Sequence, residues 1–175
     1  EGYALYEEKP NLRRKTDDIG TWSDHEYSLP GFQYFYLKLK SFQRFAETWA
    51  LLERCNAAGL LVPEDLGAVV SLGGGPGYEL LAFDQFLQNT LHYSGKAPTF
   101  ASFDRQPSWA PYVELLGYDF KQWDVHSSAA IDAILGVECR GQGDKTVRLL
   151  SNNLCYCSDD ATADLFARLL DDKVA

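Results

Sequence analysis

A short apolar run that breaks into a glycine-rich turn constrains this chain more than any other feature. Ala68-Val69-Val70-Ser71-Leu72 is followed at once by Gly73-Gly74-Gly75-Pro76-Gly77. Short apolar runs of this kind read as strands buried on both faces, as in a parallel sheet covered by helices. Glycine suits a sharp strand-to-helix turn because it adopts positive φ cheaply and lets a ligand come against bare backbone. Pro76 stiffens the turn and removes one donor. It also biases Gly75 toward extended backbone, whereas a tight turn would demand positive φ there. Tyr78 to about Leu91 then carries Leu80, Leu81, Phe83, Leu87 and Leu91 on the apolar side of a helix. The positive end of that helix points into the turn.

The same alternation repeats downstream. Thr99 to Phe103 reads as a second strand ending at Asp104, and Ser108 to Leu116 as a short helix with Gly117 just past its end. Residues 118–123 form a third strand ending at Asp124, and 127–135 a weak helix. The Gly-rich stretch 141–145 is a loop. Val147 to Leu150, or as far as Cys155, is the fourth strand, and Ala161 to Leu170 the last helix. Four strand–helix units predict an α/β fold: a Rossmann-like open parallel sheet in the order 3-2-1-4, with helices on both faces. Upstream, Phe35, Leu39, Phe42, Ala46, Trp49 and Leu52 recur at helical spacing, which predicts a helix over 32–58 with this stripe against the core. The polar residues 1–31 read as an N-terminal arm, and 32–175 as one core.

Composition narrows the class. The 175 residues are 46% hydrophobic, and no stretch approaches a membrane span. Sixteen basic against 25 acidic residues give net −9, which argues against a broad cationic surface for duplex nucleic acid. Cys55, Cys139, Cys155 and Cys157 fit neither a disulfide framework nor paired zinc knuckles. They read as reduced thiols of an intracellular, cytoplasmic or nuclear protein, with no metal site. His25, His92 and His126 are isolated in sequence.

In open α/β sheets, ligands sit beyond the carboxyl ends of the strands, so those ends select the candidate site. The glycine spacing is G-x-G-x-G. A dinucleotide fingerprint starting at Gly73 needs glycine at position 78, which is tyrosine, and no Gly-Lys-Ser/Thr follows for a phosphate loop. Val70-Ser71-Leu72-Gly73-Gly74-Gly75-Pro76-Gly77 resembles the first motif of the class I S-adenosylmethionine-dependent methyltransferases. The resemblance spans roughly residues 65–170. It implies that Gly73, Gly74, Gly75 and Gly77 bring the backbone against S-adenosyl-L-methionine. Asp104 is similar to that family's acidic residue on the ribose diol. Asp124-Val125 is similar to its adenine-contacting segment, with Arg105 and Trp123 as further adenine neighbours. Asn152, Asn153 and Tyr156 fall where the family places residues beside the reactive methyl, and are the candidate catalytic residues. Ser71 departs from the family, which often has an acid there. The chain also ends after the fourth helix, so a piece truncated after the fourth strand–helix unit is expected.

Methyl transfer asks for little beyond positioning an acceptor in line in a dry site. The acceptor stays open between RNA, a small molecule and a protein. The triple-glycine variant is similar to that of a fungal group acting on uridine in ribosomal RNA, while the pI of about 4.7 favours the other two. Two further readings stand beside this one: an NAD-dependent oxidoreductase, and a non-catalytic Rossmann-like binding module. Oligomeric state is not readable from the sequence.

Overall fold

Four strands, β1 (Leu66–Leu72), β2 (Thr99–Asp104), β3 (Asp119–Gln122) and β4 (Thr146–Leu150), form one open sheet in which every neighbouring pair is parallel. The computed structural model describes residues 22–127, 146–150, 163–165 and 167. Along the sheet the strands lie β3-β2-β1-β4. Every residue of β1 is buried, as its unbroken apolar run requires of a strand covered on both faces. The register sets Val69 beside Phe100 and Ser71 beside Ser102, so β1 and β2 end level with each other.

The helices are α1 (Asp24–Ser28), α2 (Pro30–Ala57), α3 (Tyr78–Asn89) and α4 (Ala110–Leu115). A 3-10 turn, Pro107–Trp109, leads into α4. Leu52 of α2, Leu80, Phe83, Phe86 and Leu87 of α3, and Val113 of α4 pack with Val69 and Phe100 in one cluster. Helices on both faces were expected; α2, α3 and α4 contribute to this cluster on one of them. The opposite face, with Val70, Leu72, Ala101 and Phe103, is equally buried. The expected helix 127–135 lies outside the described residues, and of 161–170 only 163–165 and 167 are described. Among the described residues, no helix is long and apolar enough to cross a membrane.

The apolar stripe expected on α2 is corrected. Leu39 and Ala46 are exposed and Phe42 is 81% exposed. The buried positions are Phe32, Gln33, Thr48 and Leu52, with Arg44 largely covered. This face carries polar groups because its first half lies over hydrogen-bonding side chains. Gln33 Nε2 donates to Ser108 Oγ, and Tyr78 Oη donates to the Leu37 carbonyl. A hydrophobicity count misses such a face. Leu52→Ala is therefore expected to cost about 2–4 kcal/mol, the scale of a core cavity, and Phe42→Ala less than about 0.5 kcal/mol. Urea unfolding of both variants checks this, and comparable losses would restore the original stripe.

Residues 22–31, assigned to an arm, are also packed. Ser23 caps α1: its Oγ accepts from the Glu26 N–H while Glu26 Oε2 accepts from the Ser23 N–H. Trp22 is buried against Phe32. Gln106, just past β2, donates through Nε2 to the Asp24 carbonyl and so ties α1 to the carboxyl end of that strand, where the site lies.

Candidate functional site

The turn after β1 is held by β2. The Gly73 and Gly74 N–H groups donate to the Phe103 carbonyl at 2.8 and 3.2 Å, capping the end of the neighbouring strand. Gly73, Gly75 and Gly77 all have positive φ (66°, 49° and 89°). The chain can make three left-handed steps in five residues only because these are glycines. The turn geometry overrides the extended bias that Pro76 puts on Gly75.

Gly75 is the centre of the arrangement. Its N–H donates to Asp104 Oδ2 at 2.8 Å, and its carbonyl accepts from Ser102 Oγ at 3.1 Å. The other Asp104 oxygen accepts from the Gln106 N–H at 2.9 Å. Asp104 was expected to keep its carboxylate for a ribose diol. In the structure each oxygen already serves one backbone donor, and the side chain staples the glycine turn to the end of β2. Burial pushes its carboxyl above the usual range, against the pull of those two donors, and the Asp24 charge adds to the rise. Each oxygen retains a second lone pair, so stapling and ligand binding are compatible.

The bare side of Gly75 faces Trp109 and the Asp104 carboxylate at van der Waals distance. The nearest atoms to a Cβ built there are Trp109 Nε1 at 3.8 Å and Asp104 Oδ2 at 3.9 Å, ordinary contacts. Gly74 is the opposite case: a Cβ would meet Ser71 Oγ and Ser102 Oγ at 2.6 Å. Gly74 thus turns its bare side into the packed floor of the turn, and Gly75 turns its bare side toward Trp109 and the Asp104 carboxylate.

Aromatic side chains cluster around Trp109 on the side that Gly75 faces. Trp109 is buried and meets Tyr27, Tyr36 and Tyr112 at ring-centroid distances of 6.2, 5.5 and 5.7 Å. Gln106 Nε2 donates to the Asp24 carbonyl at 2.6 Å, tying α1 to the β2 end. Sequence reading missed Tyr27, Gln33, Tyr36, Gln106 and Trp109, because they converge from segments up to 82 residues apart. The signal present was the cluster of aromatics between residues 22 and 36.

The β3 end joins the same edge. The Trp123 N–H donates to the Asp104 carbonyl at 2.9 Å. Asp124 Oδ1 accepts from the His126 N–H at 3.0 Å and lies 3.1 Å from His126 Nδ1. These contacts, with Arg105, hold the Asp124 carboxyl below its usual range. His126, isolated in sequence, is therefore Asp124's partner. Arg105 reaches Asp24 at 2.9 Å and Asp124 at 4.0 Å, with its side chain 63% exposed. Val125 is in the turn between Asp124 and His126. Gly73, Gly74, Gly75, Gly77, Asp104, Arg105 and Asp124 are thus gathered at one sheet edge. Asn152, Asn153, Tyr156 and Cys155 lie outside the described residues.

Comparison with family models, with curated proteins and with solved structures finds no match for this chain.

A further buried carboxyl, not singled out by the sequence, lies in the helix that follows the turn. Glu79, second residue of α3, is only 4% exposed. Burial pushes its carboxyl up to about 7, and the charges of Asp104 and Glu47 push the same way. Its own backbone N–H and Arg44 oppose the rise.

Proposed function

We propose that this chain is an S-adenosylmethionine-dependent methyltransferase domain with a Rossmann-like sheet. The order β3-β2-β1-β4 with parallel pairing supports that architecture, since it places the β1 and β2 ends side by side with helical crossovers between them. One observation carries the functional reading: the strand-end carboxylate of Asp104 closes on Gly75 at 2.8 Å while the bare side of Gly75 faces Trp109 and its aromatic neighbours. A glycine turn, a carboxylate and an aromatic surface are what a nucleoside bearing a ribose diol requires of a binding edge.

Charge favours one nucleotide over another. Asp24, Asp104 and Asp124 lie at this edge against Arg105, an acidic balance that suits a sulfonium cation and opposes the pyrophosphate of a dinucleotide. Gly73, Gly75 and Gly77 would let the backbone approach, Asp104 would accept from the diol, and Asp124 with Val125 and Arg105 would border the adenine. S-adenosyl-L-methionine, when bound, supplies an activated methyl group. Asn152, Asn153 and Tyr156 remain the proposed acceptor-side residues, and RNA, small molecules and proteins remain the candidate acceptors. The double engagement of Asp104 by Gly75 and Gln106 favours one alternative, a non-catalytic module in which the carboxylate is purely structural.

Calorimetry separates these readings. S-adenosylhomocysteine is expected to bind one to one with micromolar affinity, and NAD not to bind. Binding of NAD alone would indicate an oxidoreductase, and binding of neither a non-catalytic module.

A further inference from the structure

α2 is built the wrong way round for a surface helix. It turns Gln33, Arg44 and Thr48 inward, while Leu39, Phe42 and Ala46 lie exposed. Among the described residues, six of the seven exposed large hydrophobic side chains lie from Tyr34 to Val62, on α2 or just past it. Exposure concentrated in this way marks a surface that something covers, which scattered apolar residues would not. Positions 38, 42, 45, 46, 49 and 53 recur at steps of three and four, so they share one outward face. Phe45 and Trp49 stack on each other at 5.7 Å between ring centroids, and Trp49 packs edge-on against Phe86 of α3 at 5.1 Å. The middle of the face is thereby fixed in place. Its pattern is symmetric about the Phe45–Ala46 peptide. Phe42 and Trp49 lie equally far to either side, and Lys38 and Glu53, further out, carry opposite charges.

We propose that this face pairs with itself: a second copy of the chain docks antiparallel on α2, about a twofold axis at Ala46. A twofold interface sets one patch against the same patch, so the patch must be self-complementary. Here Phe42 of each copy meets Trp49 of the other, and Lys38 meets Glu53 at both ends. Parallel pairing would set Lys38 on Lys38. Both end residues are exposed, and Lys38 has no ion pair among the described residues. Small Ala46 lets the two helix axes approach at the crossing. An anionic membrane is the poorer occupant, because the chain carries net −9 and the face lacks the basic border of an interfacial helix. From Lys38 to Glu53 the contact spans about 22 Å, roughly four turns. A contact this small corresponds to a Kd in the micromolar range. Below that concentration the monomer prevails, and in the monomer Phe42 contributes little to stability. The pairing is independent of the methyltransferase reading.

Sedimentation equilibrium of the whole chain from about 1 to about 300 µM brackets that Kd and should show a monomer–dimer equilibrium. Phe42→Glu alters an exposed side chain and should leave the far-UV circular dichroism unchanged. It should weaken the dimer at least about a hundredfold, the scale of losing a central aromatic anchor. Lys38→Glu and Glu53→Lys, each alone, should weaken it about tenfold, since two charge pairs become two repulsions. Mixing these two variants, or placing both changes in one chain, restores both charge pairs and should return the Kd to within about threefold of native. A chain that stays monomeric throughout, or a dimer indifferent to Phe42→Glu, would overturn the proposal. Single variants that weaken the dimer without rescue in the mixture would overturn the antiparallel pairing. A monomer that binds anionic phospholipid vesicles, and loses them on Phe42→Glu, would assign the face to a membrane and overturn it equally.

Discussion

Asp104→Ala is expected to destabilise the empty protein by about 3 kcal/mol, because two backbone N–H groups lose a carboxylate acceptor at once. Those donors belong to Gly75 and Gln106, so the glycine turn and the start of the β2–α4 connection loosen together. For a domain of this size the loss corresponds to a fall of roughly 6–12 °C in Tm. Ligand affinity should drop as well, by about 1.5–3 kcal/mol, as an acceptor for the diol disappears. Asp104→Asn keeps one acceptor oxygen and should fall between the two in thermal stability. The family resemblance assigns this carboxylate to the ribose diol. Thermal melts decide: an unchanged Tm in Asp104→Ala would show that the carboxylate does not hold the turn.

Gly75→Val is expected to act through backbone and binding edge together. At φ 49° a β-branched residue is strained, which costs about 1–3 kcal/mol of stability. The methyl groups then project toward Trp109 and Asp104, into the space assigned to the ligand. The variant should melt lower and bind no S-adenosylhomocysteine while folded. Gly75→Ala carries similar strain with a smaller obstruction, so it should lose a comparable amount of stability and less affinity. Normal affinity in folded Gly75→Val would place the ligand somewhere else.

What the sequence makes legible follows from which interactions are local. Val69, Val70 and Leu72 announce a strand because burial on both faces leaves no polar position along it, and strand, glycine turn and helix appear where expected. Asp104 stands out because strand ends are where open α/β sheets bind ligands. The rest is written in pairings between distant segments. Gln33 with Ser108, Gln106 with Asp24 and Tyr36 with Trp109 leave no periodicity to read. Burial of polar residues on α2 similarly shifted its true inner face away from Leu39 and Phe42. Glu79 was overlooked because an acid in the first turn of a helix ordinarily reads as a favourable charge near the positive end. Its burial appears only once α2 lies beside α3.

The central claim, that the glycine turn and Asp104 together receive the nucleoside, is tested most directly by a crystal structure of the chain with S-adenosylhomocysteine. The ribose hydroxyls should lie within about 3 Å of the Asp104 carboxylate, with the ligand passing in front of Gly75. A ligand bound elsewhere, with that carboxylate touching only Gly75 and Gln106, would contradict it.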